Sequence, residues 1–92
     1  MIIRIMGEGQ YRISSALLDD LNVIDNNIVE RVAKEDEAGL KEELSRLIAT
    51  IKAKGEPLDP KEIVESEVIV PPGDLTLAEA ARVFRGSGLI ED

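Results

Sequence analysis

The 92 residues contain neither cysteine nor histidine. That excludes a disulfide staple, a thiolate nucleophile, an imidazole base and a soft metal site, and with them most hydrolytic and redox designs. There is no tryptophan, and Tyr11 and Phe84 are the sole aromatics, so any core must be built from Ile, Leu and Val. No stretch approaches the roughly 20 apolar residues of a membrane-spanning helix. The start of the chain lacks a basic segment followed by an apolar run and a small-residue cleavage site, and a cytoplasmic location is the expectation. Cations are scarce as well: eleven against nineteen acidic residues give a formal charge of −8. They are scattered from Arg4 to Arg85 without a cluster of four, so nothing locally offsets repulsion from phosphodiester backbones and anionic lipid. Nucleic acid is excluded as an expected partner, and a basic or apolar protein surface is favoured.

The length suits one domain, spanning residues 1–92, that buries about 60 to 65% of the surface exposed when unfolded. Ile2-Ile3-Arg4-Ile5-Met6 and Gln10-Tyr11-Arg12-Ile13 read as strands around the three residues Gly7-Glu8-Gly9. This is a hairpin signal, with Gly9 suited to the left-handed position that ends such a loop. Ser14 then caps a helix, with Ile13 and Leu18 at staple positions and Asp19 and Asp20 near its positive end. Leu17, Leu21, Ile24, Ile28 and Val32 follow on one face, although Asp25-Asn26-Asn27 is a weak point where the helix could fray. Glu35-Asp36-Glu37 marks a turn and a new start. Leu40, Leu44, Leu47, Ile48 and Ile51 form the second stripe, with Glu42 and Arg46 spaced i, i+4 outside it. Lys52 and Lys54 suit the negative end, Gly55 a left-handed cap, and Pro57 stops continuation. The short connection predicts an antiparallel helical hairpin.

Asp59-Pro60-Lys61-Glu62 carries cap, proline and glutamate in the order that opens a short helical turn before Ser66. Val68-Ile69-Val70 is a third strand stopped by Pro71-Pro72, and its lack of alternation predicts burial on both faces. Thr76-Leu77-Ala78-Glu79 is a capping box that begins a last helix, with Leu77, Ala81 and Phe84 on one face and Gly86 or Gly88 as its stop. Leu89 and Ile90 are apolar enough to pack back or to meet a partner. The fold class is α+β: a small antiparallel or mixed sheet, formed by the N-terminal hairpin and a later strand, packed against the helical hairpin and a short C-terminal helix.

The glycine pair does not carry nucleotide chemistry. A dinucleotide fingerprint needs a third glycine where Arg12 stands and a helix opening at the loop, and a phosphate loop needs Gly-Lys-Ser/Thr where Gly9-Gln10-Tyr11 stands. Asp19-Asp20 and Glu42-Glu43 are adjacent in helices and point about 100° apart, so neither pair converges on one substrate atom. Glu35-Asp36-Glu37 lacks the alternating ligands and central glycine of a calcium loop. Ser14 and Ser15 have no usual base, Lys54 and Lys61 being the only remote candidates, and read as caps. The expectation is a protein that is not an enzyme and carries no metal or cofactor. Open sheet edges and incompletely covered stripes invite strand addition, helix docking or a homodimer about a two-fold axis. A small-ligand-sensing domain with a pocket between sheet and helical hairpin is the alternative.

Arg4-Ile5-Met6-Gly7-Glu8-Gly9-Gln10-Tyr11-Arg12, then the helical hairpin, then Val68-Ile69-Val70-Pro71-Pro72 with Leu75-Thr76-Leu77-Ala78-Glu79 behind it, resembles the PspAA domain, the PspA-associated family, over nearly the whole chain. The resemblance implies an accessory or adaptor protein of the phage-shock-type envelope stress system, whose partner is a PspA-like coiled-coil protein on the cytoplasmic membrane surface. It would place this acidic chain at the membrane only indirectly, through that partner. It brings no catalytic residues: Arg4, Gly7, Glu8, Gly9, Tyr11 and Arg12 are signature positions whose default role is the hairpin turn and its packing. The expected interface is the exposed side of residues 30–43, with Glu35, Asp36 and Glu37 at its centre, plus an open strand edge.

Overall fold

The computed structural model describes residues 1–62 and 64–84. In chain order these form β1 (Ile2–Ile5), β2 (Gly9–Arg12), α1 (Ser15–Ala33), α2 (Glu37–Lys54), β3 (Glu56–Pro57), β4 (Val68–Val70) and α3 (Leu77–Val83), an α+β fold. The sheet is mixed, in the order β3-β2-β1-β4: β1 pairs antiparallel with β2 and parallel with β4, and β2 pairs antiparallel with β3. The helices of 18 and 19 residues are about 28 Å long and the four-residue strands about 13 Å, so the helical hairpin overhangs the sheet.

Side-chain alternation divides the sheet. Ile3 and Ile5 of β1 and Val68 and Val70 of β4 point to the helices and are buried. Leu17, Leu21, Ile24 and Ile28 of α1 meet them together with Leu40, Leu44, Leu47 and Ile51 of α2. Phe84, at the end of α3, is the one buried aromatic, and α3 packs on α1. On the other face lie Arg4, its β2 partner Gln10 and its β4 partner Ile69, with Ile2 opposite Arg12. β3 and β4 occupy opposite edges, so the connection between them, described at residues 58–62 and 64–67, crosses the sheet. It crosses on this outer face, where the Gln10 amide donates to the Val64 carbonyl (2.7 Å) and Ser66 Oγ (2.6 Å).

The helix signals act as the sequence implies. Ser14 Oγ accepts from Leu17 N–H and Asp36 caps α2 through Gly39 N–H. Thr76 and Glu79 bond reciprocally in a complete capping box. α1 runs unbroken through Asp25-Asn26-Asn27, because Ile24 and Ile28 on either side are buried and tertiary packing outweighs weak propensity.

Four local expectations change. Gly55 is extended (φ −75°, ψ 156°), not left-handed, and leads directly into β3, a short strand hidden by its proline. Val68-Ile69-Val70 is buried on one face only: β4 is an edge strand and Ile69 is 54% exposed. Ala80 rather than Ala81 is the inward residue of α3, one turn before Phe84. Asp59-Pro60-Lys61-Glu62 forms a turn closed by Glu62 N–H to the Asp59 carbonyl, with no helix among the described residues. The expected stop at Gly86 or Gly88 and the Leu89-Ile90 tail lie outside the described residues.

Candidate functional site

The signature stretch builds the hairpin. Glu8 N–H donates to the Ile5 carbonyl, which closes a turn in which Gly7 has φ 82°, and Gly9 follows at φ 107°. Both values lie where a Cβ is unfavourable, and this fits glycine at each. The turn is tied down by Glu8, whose carboxylate lies 2.6 Å from Lys52 Nζ in α2. The Glu8 hydrogen bond and charge hold the Lys52 ammonium above the ordinary lysine range.

A groove of about 360 Å³ opens between this hairpin and the crossing segment, lined by Arg4, Glu8, Gly9, Gln10 and Tyr11 on one side and by Pro57, Leu58, Asp59, Pro60, Glu62 and Val64 on the other. Four of the signature residues, Arg4, Glu8, Gly9 and Tyr11, thus share one site. It lies away from the interval between sheet and helical hairpin, which buried aliphatic side chains fill. Arg12 is on the outer face but lines a separate depression with Ile2, Lys54 and Glu56. Gly7 serves the turn and lines neither.

Glu35, Asp36 and Glu37 are not part of this site. Fifteen residues of α2 separate Glu37 from Lys52, about 22 Å along the axis. Each of the three has local work. Glu35 takes the left-handed φ of 55° that reverses the chain. Asp36 caps α2 and pairs with Arg31 at 3.3 Å, and Glu37 pairs with Lys41 at 3.5 Å. Gly39 makes room for this arrangement, since a Cβ there would meet the Asp36 carboxylate and Arg31 Cδ. No group of three or more His, Cys, Asp or Glu side chains among the described residues is arranged to hold a metal. No described helix is long and apolar enough to cross a membrane.

Residues 1–92, the whole chain, match the family described as PspAA, PspA-Associated protein. The chain belongs to the PspAA family. No curated protein and no solved structure matches it. PspAA is a family of accessory domains and is not known as an enzyme family.

Three polar features of this PspAA chain escape a reading of residue types alone. Gln10 sits inside the signature stretch, but its bonds to Val64 and Ser66 span more than fifty residues. Lys52 reads as a dipole partner at the end of α2, and only the folded hairpin brings Glu8 to it. Asp25 and Glu43 are buried inside the helices. Asp25 is engaged in an interaction, and Glu43 lies 3.5 Å from Arg46. Asp25 sits four residues after Leu21 and three before Ile28, and that spacing was the available signal.

Proposed function

We propose that this PspAA protein is a non-catalytic adaptor of a PspA-type membrane stress response, binding a PspA-like coiled-coil protein on the cytoplasmic side and reaching the membrane only through it. The observation that carries the reading is the family match over residues 1–92. Charge supports it: at −8 the chain is repelled by anionic lipid, whereas basic residues on a partner helix would be attracted. The partner-facing surface is assigned to the exposed side of residues 30–43 and an open strand edge. Of the three central acids, Glu35 and Glu37 can be reversed without removing the α2 cap, which Asp36 supplies.

Co-purification with the PspA-like protein of the same cell, at low and high salt and with light scattering for mass, tests the proposal. A complex weakened by salt is expected. Separate proteins under all conditions would remove direct PspA binding as the function. An unchanged affinity and salt dependence in the Glu35→Lys, Glu37→Lys double variant would move the contact away from the helical hairpin.

A further inference from the structure

The outer-face groove is a built feature. Its roof is held off the sheet by the paired bonds from Gln10 to Val64 and Ser66, by Leu58 N–H to the Gln10 carbonyl (3.0 Å), and by the Asp59–Glu62 turn. Its polar groups can be sorted by what already occupies them. The Glu8 carboxylate is taken by Lys52, an Asp59 oxygen accepts from Lys61 N–H at 2.9 Å, and the Gln10 amide holds the roof. Asp59 keeps its charge unpaired beside that backbone bond, and the side chains of Arg4 and Glu62 are wholly unengaged among the described residues. Both are exposed and line the same groove, and among the described residues neither forms an ion pair, with the other or with any third group. Pro57, Leu58, Pro60 and Val64 supply the apolar part of the lining.

We propose that this groove binds a small zwitterion, an aliphatic α-amino acid, with the carboxylate on Arg4, the ammonium on Glu62 and the side chain against Pro57, Leu58 and Pro60. A guanidinium binds a carboxylate through two parallel hydrogen bonds, and a carboxylate is the natural acceptor for an ammonium. Two opposite charges in one groove that do not close on each other leave room for a molecule that carries both complements. The cavity volume is at the small end of ligand sites, which suits an amino acid better than a nucleotide or a cofactor. The groove contains none of residues 30–43, although Pro57 of the edge strand β3 lines it, so the ligand reading and the partner contact at the helical hairpin stand or fall separately.

Titration of the intact protein with L-leucine, followed by amide chemical shifts and calorimetry, tests this. The two half-ligands isovalerate and isoamylamine serve as controls. Leucine is expected to shift resonances around Arg4, Gln10 and Glu62. Each half-ligand, and leucine with Arg4→Gln or Glu62→Gln, is expected to bind at least about tenfold more weakly. Both replaced side chains are exposed, so the variants should melt with the wild type. No leucine binding at about 10 mM, the weak end of specific affinity, overturns the proposal. Binding that neither variant weakens also overturns it, because the ligand would then sit elsewhere.

Discussion

Glu8 at the tip of the β-hairpin and Lys52 near the end of α2 lie 2.6 Å apart across 44 residues of sequence, and this contact joins the signature turn to the helical layer. Because the folded-state pKa of Lys52 is raised, the contribution is fully present below the ordinary lysine value of 10.5 and is lost as pH climbs through the raised one. Both side chains are about half exposed, and the effect on stability is modest. Lys52→Met should therefore melt slightly below the wild type near neutral pH, and the gap should narrow in high salt and close as pH rises beyond the lysine range. Thermal melts over a pH series check this; a gap that widens with alkalinity contradicts the pairing.

Gln10 governs the crossing segment. Gln10→Ala removes two side-chain hydrogen bonds and should cost about 1–2 kcal/mol. Faster amide exchange is expected at Leu58, Glu62 and Glu67, while the helix core at Leu44 and Leu47 is unaffected below global unfolding. Hydrogen exchange read residue by residue would show it.

Two pairs of glycines should respond differently to alanine. At Gly55 the backbone is ordinary, but a Cβ would meet the Ile51 carbonyl at 2.5 Å, Ile13 Cδ1 at 3.1 Å and Tyr11 Cβ at 3.2 Å. Gly55→Ala should destabilise by about 1–3 kcal/mol through overpacking. Gly73→Ala meets only Ile48 Cδ1 at 3.8 Å and should stay within about 0.5 kcal/mol of wild type. At Gly7 and Gly9 space is open and the obstacle is positive φ, so alanine should cost about 1–2 kcal/mol at each. Asparagine should recover part of that at Gly7, whose φ of 82° is the nearer to the left-handed well. Urea denaturation of the five variants orders these effects.

The helix–helix turn offers opposite effects at neighbouring positions. Glu35 holds a positive φ that glycine adopts more freely, and Glu35→Gly should stabilise by about 0.5–1 kcal/mol. Asp36→Ala should destabilise by about 1 kcal/mol, since the α2 cap and the Arg31 pair go together. Chemical denaturation of both variants decides it, and an Asp36→Ala protein as stable as the wild type would show that the cap contributes little.

What could be read along the chain was local chemistry. A cap at Ser14 or Thr76, the apolar spacing of α1 and α2, the glycine turn and the α+β class each depend on residues within a turn or two of one another, and the PspAA signature is itself such a stretch. Decisions between distant segments could not be read. Pro57 forbids helix continuation, but only the exposed edge of β2 makes its neighbourhood a strand. Val68-Ile69-Val70 is equally apolar at every position, and its place at the sheet edge, with helices on one side alone, leaves Ile69 in solvent. The same topology, which puts β3 and β4 on opposite edges, sends residues 58–62 and 64–67 over the outer face. The groove beneath them therefore follows from strand order, a property of the assembled sheet that no residue carries by itself.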